Sequence, residues 1–204
     1  MRPSKILVAV LVALLAIVST TFYVSNVTAG ESKLLDVKYT ELTKEAKREV
    51  DCLAENIYYE AGHESKHGKL AVAMVTLNRV EDPRFPKDIC GVVKQKVNST
   101  CQFSWFCIPT KKKDSETYLA AKEVALYVYA NYEKLYDITK GALYYHADYV
   151  NPGWKLQKTT VIGRHIFYKD GNKHDAKTKP SAERRFGFKT LIFSSDGGDN
   201  ITNM

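Results

Sequence analysis

The segment from residue 55 to residue 64, Glu-Asn-Ile-Tyr-Tyr-Glu-Ala-Gly-His-Glu, brings an acid onto the apolar side of a predicted helix. At about 100° per residue, one apolar stripe runs along residues 42–61, formed by Leu42, Ala46, Val50, Leu53 and Ile57. Glu60 falls in the middle of this stripe, and burial raises the pKa of a carboxyl group because it disfavours the charged form. We therefore predict that Glu60 stays protonated near neutral pH and acts as a general acid. The alternative is a frayed helix end, at which an arginine or water satisfies Glu60.

A competing motif overlaps the same segment. Residues 63–67, His-Glu-Ser-Lys-His, have the H-E-x-x-H pattern of zinc peptidases. That motif needs a continuous helix, so that both imidazoles face one metal ion while the glutamate polarises water. Here Gly62 and Gly68 flank the motif and disfavour a helix, and Lys66 places a cation close to the metal position. We keep the zinc site as an alternative and expect neither a metal ion nor another cofactor.

The remaining candidate residues favour acid catalysis. His146 and His165 lie in strand-like runs beside aromatic residues, where a packed and hydrogen-bonded histidine is the usual case. The chain contains no G-x-S-x-G motif and no Gly-rich phosphate loop. Glu64 lies four residues after Glu60, on the same helix face if the helix continues, and is predicted to assist it.

The elements that must position these residues are helices followed by short strands. The predicted helices are 41–61 ending at Gly62, 66–80, one capped by Asp88 through about 96, and one capped by Asp114 or Ser115 to about 132. The predicted strands are 102–106, 142–146, 161–168 and 187–193, with a turn at residues 151–153. This order predicts an α+β fold.

The N-terminal segment predicts export. Arg2 and Lys5 precede an unbroken apolar run over residues 6–18, and residues 27–29 resemble a small-residue cleavage site before Gly30. Residues 1–30 are therefore either a signal peptide or a membrane anchor, since the stretch 6–24 is just long enough to span a bilayer. Either reading places residues 31–204 outside the cytoplasm.

The four cysteines agree with an oxidising compartment. Cys52, Cys90, Cys101 and Cys107 all lie in the exported part, and four cysteines allow three pairings. We predict two disulfides without assigning the pairs. Zinc is the weaker reading, because no C-x-x-C pair occurs.

Positive charge is concentrated near the C-terminus. Residues 155–190 contain ten Lys and Arg against three Asp and Glu, so this segment accounts for the whole net charge of +7. Such a segment suits an anionic partner such as a wall polymer or a lipid headgroup, or is a solvated tail. No nucleic-acid-binding motif accompanies it, and we expect no nucleic-acid partner.

Seven blocks of the chain resemble, in the same order, the SleB family of bacterial and phage cell wall hydrolases. They begin with residues 54–61, 68–80 and 84–93, continue with 101–104 and 141–146, and end with Trp154 and 162–168. The family usually has Glu-Ala-Arg-Gly-Glu where this chain has Glu60-Ala-Gly-His-Glu64. Both glutamates are kept and the arginine is absent.

This resemblance implies a helix-rich, lysozyme- or transglycosylase-like single domain of α+β class with a small antiparallel sheet. It implies cleavage of peptidoglycan glycan strands, with Glu60 protonating the glycosidic oxygen and then taking a proton from the muramic-acid 6-hydroxyl. Glu64 and Asp148 are the candidates for a second carboxylate, which a water-using glycosidase needs. Matching family positions that could line a sugar groove are Gln102, Tyr145, His146 and Trp154.

The resulting organisation is a leader (1–30), a linker (31–40), a catalytic domain (41–168) and a basic, polar tail (169–204). The expected partner is the glycan strand, and an uncleaved leader predicts tethering to the inner membrane; no oligomeric state is predicted. Two other functions stay open, namely a zinc peptidase and a non-catalytic wall-binding protein.

Overall fold

The computed structural model describes residues 36–108 and 114–171. The predicted leader, the tail beyond residue 171 and the predicted strand 187–193 lie outside the described residues. Within the described residues, no helix is long and apolar enough to cross a membrane.

Two long helices form the centre of the fold. Helix α1 (Lys44–Ala61) begins after Thr43, whose side chain accepts a hydrogen bond from the Ala46 N–H, and Gly62 follows its last residue. Helix α2 (Lys66–Glu81) begins after Ser65, whose side chain accepts from the Gly68 N–H. These caps satisfy N–H groups that have no partner inside a helix. The predicted bounds of both helices are therefore close to the observed ones.

Two further helices pack against this pair. The short helix α3 (Ile89–Val93) is capped by Asp88, and the long helix α4 (Ser115–Asn131) is capped by Asp114. Both aspartate side chains accept a hydrogen bond from the N–H three residues along, at 2.8 Å. The sequence predicted the Asp88 cap and left Asp114 and Ser115 as alternatives for the second cap, of which Asp114 is the observed one; α3 ends earlier than expected.

Helix α2 is buried on nearly all sides, as expected for a central helix. Val72 and Val75 are 0% exposed although they point away from the stripe that contains Met74 and Leu77. The apolar stripe of α1 is also fully buried. Burial on this scale provides most of the free energy of folding.

The strand predicted over residues 102–106 is wrong. Strands β1 (Lys96–Val97) and β2 (Thr100–Cys101) form a small antiparallel hairpin, and Ser104–Phe106 is a 3₁₀ turn. A disulfide joins Cys101 to Cys107, with 5.9 Å between the Cα atoms. Six extended residues would span about 20 Å, so the closed loop must turn back.

Within residues 36–108 and 114–171, the main sheet has three antiparallel strands in the order β3-β5-β4: β3 (Tyr144–Ala147), β4 (Gln157–Ile162) and β5 (His165–Lys169). The single strand predicted over 161–168 is wrong, because this run contains the end of β4, a tight turn and β5. Gly163 makes the turn with a φ of +57°, a conformation that favours glycine.

Apolar and polar contacts hold the sheet to the helices. Ala71 and Val75 of α2 share a small buried cluster with Ala142 and Phe167. The Asn78 amide donates to Asp137 at 2.9 Å and to the Ala142 carbonyl at 3.1 Å.

The second disulfide, Cys52–Cys90, joins α1 to α3. The α+β class and the two predicted disulfides are therefore confirmed.

Candidate active site

A cleft of about 410 Å³ opens at the C-terminal end of α1. Its walls are residues 58–64 from the end of α1 and the following turn, Thr117 from the first turn of α4, and Arg164 from the turn between β4 and β5. Both glutamates predicted as catalytic, Glu60 and Glu64, belong to this lining. The fold thus places the α1–α2 turn opposite the sheet.

Glu60 lies half-buried in this cleft and has one direct side-chain partner from the sheet. The Tyr145 hydroxyl donates a hydrogen bond to Glu60 Oε2 at 3.0 Å. Burial raises the pKa of Glu60, while the Tyr145 hydrogen bond and the charge of Arg79 oppose that rise. A carboxyl group with a raised pKa retains its proton at higher pH, as a general acid requires.

Tyr145 is held firmly for this contact. Its ring lies 5.3 Å from the His165 ring and 5.7 Å from the Phe167 ring, centroid to centroid. Burial and the neighbouring Glu60 carboxylate raise the pKa of Tyr145 well above its usual value. Tyr145 therefore keeps its proton and can act only as the hydrogen-bond donor to an ionised Glu60.

Arg79 supplies a buried positive charge from α2. Its Nε donates to the Leu143 carbonyl at 2.7 Å, and the side chain is 3% exposed. The guanidinium carbon lies 5.3 to 5.9 Å from the centroids of three rings, those of Phe85, Phe103 and Tyr144. Burial lowers the pKa of Arg79, and the nearby Glu60 acts in the opposite direction.

Glu64 is engaged by the turn of the sheet. Its Oε1 accepts a hydrogen bond from the Arg164 N–H at 3.3 Å. Gly163 fits against the same carboxylate, since a Cβ there would lie 2.0 Å from Glu64 Oε2. Glu64 therefore fastens the β4–β5 turn to the α1–α2 turn at the rim of the cleft.

Asp148, the other candidate for a second carboxylate, is exposed and paired with a cation. Its carboxylate accepts from the Arg164 guanidinium at 3.2 Å, and its N–H donates to the Arg164 carbonyl at 2.8 Å. Arg164 thus contacts both candidate carboxylates, one through its backbone and one through its side chain.

The H-E-x-x-H pattern does not lie on a continuous helix. His63 and Glu64 belong to the turn after α1, whereas His67 lies in the first turn of α2. Both histidines are exposed, and the Glu64 carboxylate is directed to the β4–β5 turn. Among the described residues, no group of three or more His, Cys, Asp or Glu is arranged to hold a metal ion.

His146 and Trp154 form a separate aromatic cluster with Tyr144 and Tyr168. The His146 ring is stacked on Tyr168 at 5.2 Å and lies 5.5 Å from Trp154. Successive side chains of a strand point to opposite faces, so His146 lies on the face of β3 opposite to Tyr145. Trp154 is 43% exposed on that face. The structure therefore does not bring this pair into contact with Glu60.

Gln102 lies at the end of β2 with an exposed side chain, and its N–H donates to the Gln95 carbonyl at 2.9 Å. Trp105, three residues further along, packs behind the cleft lining instead. The Trp105 ring is stacked on Tyr59, a residue of the cleft lining, with 4.5 Å between centroids and 21° between planes. We call this stacked pair the aromatic wall. It is the kind of flat apolar surface on which sugar rings pack.

Comparison with known proteins shows the family to which this chain belongs. Residues 63–168, more than half of the chain, match the family described as cell wall hydrolase. The chain belongs to the cell wall hydrolase family. The matched segment begins three residues after Glu60 and includes Glu64, Arg79, Tyr145 and Arg164. The resemblance inferred from the sequence is confirmed.

Curated relatives carry the name spore cortex-lytic enzyme. The Bacillus cereus protein is 30% identical over 149 residues, which are 71% of this chain and 54% of the relative. The Halalkalibacterium halodurans protein is 30% identical over 122 residues, 58% of this chain and 34% of the relative. This cell wall hydrolase therefore spans between about a third and about half of the length of these relatives.

Two solved structures are similar. The catalytic domain of the Bacillus cereus SleB protein is 22% identical with a TM-score of 0.45, covering 69% of this chain and 99% of that one. The catalytic domain of a germination-specific lytic transglycosylase SleB from Bacillus anthracis is 28% identical with a TM-score of 0.46, covering 60% of this chain and 95% of that one.

Sequence reasoning missed three residues of the site in this cell wall hydrolase. Arg79 lies inside the matching block 68–80 and was not singled out, although an arginine in a helix that is apolar on all sides indicates a buried charge. Arg164 was hidden inside a run read as one strand. For Trp105, the only indication in the sequence was its place between Cys101 and Cys107. The pairing of these two cysteines was not assigned.

Proposed function

We propose that this chain cleaves the glycan strands of peptidoglycan in the manner of a lytic transglycosylase, with Glu60 as the single general acid and base. The observation that carries the proposal is the half-buried Glu60 carboxyl in an open cleft, with the Tyr145 hydroxyl 3.0 Å from Oε2. Membership in the cell wall hydrolase family supports the substrate class.

The proposed reaction needs no water. Glu60 transfers its proton to the glycosidic oxygen while the bond from that oxygen to C1 of the muramic acid breaks. The 6-hydroxyl oxygen of the same sugar then bonds to C1, and its proton passes to the Glu60 carboxylate. The products are an anhydro-muramic end and a free hydroxyl on the leaving sugar, and Glu60 is again protonated.

The position of Glu64 favours this route over hydrolysis. A water-using glycosidase places a second carboxylate as nucleophile or base beside the bond. Here the Glu64 carboxylate accepts a hydrogen bond from the turn at Arg164, and Asp148 pairs with the guanidinium of the same residue. We assign Glu64 to positioning the rim of the cleft and leave Glu60 as the one catalytic carboxyl.

The aromatic wall is the proposed sugar-binding surface. Tyr59 lines the cleft next to Glu60, and Trp105 supports it from behind. The cluster of His146, Trp154 and Tyr168 lies on the outer face of the sheet, where it can contact only a part of the strand that extends past the cleft.

Action outside the cytoplasm is part of the proposal. The two disulfides, Cys52–Cys90 and Cys101–Cys107, suit an oxidising compartment. The mass of the protein purified from an envelope fraction tests the leader: loss of residues 1–29 indicates a cleaved signal peptide, and an intact chain indicates a membrane tether.

Product analysis on purified walls tests the reaction. Mass spectrometry should find anhydro-muramic ends, and the yield should survive treatment with phenanthroline. Reducing ends of muramic acid, heavier by one water, would contradict the transglycosylase route. New free amino groups would indicate the zinc peptidase, and bound protein without any released fragment would indicate a wall-binding protein.

A further inference from the structure

We propose that Arg79 is a positioning residue that anchors the start of β3, from which Tyr145 reaches Glu60, and that holds a fixed positive charge behind this contact to stabilise the carboxylate formed during the reaction. This inference rests on the proposed function, because it takes Glu60 as the acid. It adds a residue that lies outside the lining of the cleft and acts through the electric field.

The first observation is the burial of a full charge with little compensation. Arg79 is 3% exposed, yet no anionic side chain forms an ion pair with it among the described residues. Its Nη1 also has no hydrogen-bond partner in that part of the chain. A buried donor without a partner costs free energy, and a catalytic role is one of the reasons for which a protein keeps such a group.

The second observation is how the guanidinium is fixed. Three aromatic rings surround it, and Nε donates to the Leu143 carbonyl at 2.7 Å. Leu143 precedes β3 by one residue, and the Tyr145 hydroxyl, two residues along, donates to Glu60. The same short stretch of backbone therefore locates both the cation and the donor relative to the carboxyl group.

The third observation is the set of charges around Glu60. Tyr145 faces it from β3 and Arg79 acts on it from α2. The cleft around it also contains His63, Glu64 and Arg164. Of the latter, Glu64 and the Arg164 backbone satisfy one another at the rim. Two buried cations come from α2: Lys69 donates to the Glu64 carbonyl, and the charge of Arg79 opposes the effect of burial on the pKa of Glu60.

The chemistry follows from this arrangement. When Glu60 gives its proton to the leaving oxygen, a negative charge appears in a poorly solvated place. A fixed cation stabilises that charge without reorganisation during the step. The same field keeps the carboxylate from being too basic, so that it can release its proton in the next cycle.

Arg79→Gln tests the proposal, with Arg79→Lys as the charge-retaining variant. Arg84→Gln is the matched control, because Arg84 also lies over Phe85, at 5.9 Å, but pairs with Asp82 and Asp170 at the surface. The carboxyl carbon of Glu60, followed by NMR after isotope labelling, reports its pKa without requiring activity. Steady-state rates on soluble glycan strands report kcat and KM.

We expect the pKa of Glu60 to rise in Arg79→Gln, because a charge that favours the carboxylate is lost, and to stay near its original value in Arg79→Lys and Arg84→Gln. The kcat should fall about tenfold or more, while KM changes little because Arg79 does not line the cleft. If Arg79→Gln does not fold, Arg79→Met replaces it, since a flexible methionine side chain can pack among the three aromatic rings that surround this position.

An unchanged Glu60 titration in a folded uncharged variant would overturn the proposal and leave the role of Glu60 intact. A lowered pKa would overturn it as well. An active Glu60→Gln protein would instead refute the proposed function, and the NMR titration would still decide whether Arg79 acts on Glu60.

Discussion

Removing the Tyr145 hydroxyl should make Glu60 a weaker acid. In Tyr145→Phe the ring and its contacts with His165 and Phe167 remain, and only the hydrogen bond of 3.0 Å to Glu60 is lost. That bond favours the ionised carboxylate, so its loss must raise the pKa of Glu60 above the already raised value.

The size of the shift follows from the type of bond. A hydrogen bond to a charged group contributes about 1.5–3 kcal/mol, and one pKa unit corresponds to about 1.4 kcal/mol. Since Arg79 still stabilises the carboxylate, we expect the lower end, a rise of about one unit. The kcat should fall about tenfold, because the carboxylate formed in the transition state has lost its donor.

The assay is the pH dependence of kcat/KM on soluble glycan strands. A general acid must be protonated, so its titration gives the alkaline limb of the profile. This limb should move to higher pH in Tyr145→Phe. Tyr132→Phe is the matched control, since it removes a hydroxyl that donates to Asn78 at 3.1 Å and does not contact Glu60. An alkaline limb that stays in place, or moves to lower pH, in a folded Tyr145→Phe protein would refute the reasoning.

Three further predictions concern stability and the cleft wall. The folded-state pKa of Glu60 is raised. The contribution of Glu60 to the free energy of unfolding is therefore fully present below the ordinary pKa of a glutamate, and it is lost as the pH rises through the folded-state pKa. At a pH above the folded-state pKa, Glu60→Gln should therefore melt at a higher temperature than the original protein. A lower melting temperature at that pH would contradict the argument from burial. Gly163→Ala should cost about 1–3 kcal/mol in urea unfolding, from its positive φ and from the clash with Glu64, and Glu64→Ala should recover part of that loss. Replacing Cys101 and Cys107 by Ser should cost about 2–3 kcal/mol and raise KM severalfold by releasing the aromatic wall, whereas an unchanged KM would show that the wall needs no disulfide.

The sequence predicts the local features of this fold well. The helical period placed Glu60 on the buried stripe of α1, and Asp88 and Asp114 marked two helix starts, because caps act within one turn of the chain. The hairpin of β4 and β5 was misread because β-forming residues continue on both sides of its turn. A single glycine, Gly163, was the only residue in that run that indicated a turn.

The site itself depends on long-range contacts. Tyr145 meets Glu60 across 85 positions of the chain, and Arg79 meets the Leu143 carbonyl across 64. No local pattern encodes such pairs. One inference was available, however: if Tyr145 faces the helices, the alternation of a strand puts His146 on the outer face. Tyr145 and His146 were assigned from the sequence to the same sugar groove, although adjacent residues of a strand lie on opposite faces.

The most direct test of the central claim is cleavage of purified peptidoglycan by Glu60→Gln. The matched control is Glu45→Gln, an exposed residue in the first turn of the same helix. We predict that Glu60→Gln, folded by thermal melting, releases anhydro-muropeptides about 10²–10⁴ times more slowly, while Glu45→Gln keeps the original rate. Release by folded Glu60→Gln at a rate near that of the control would contradict the assignment of Glu60 as the general acid.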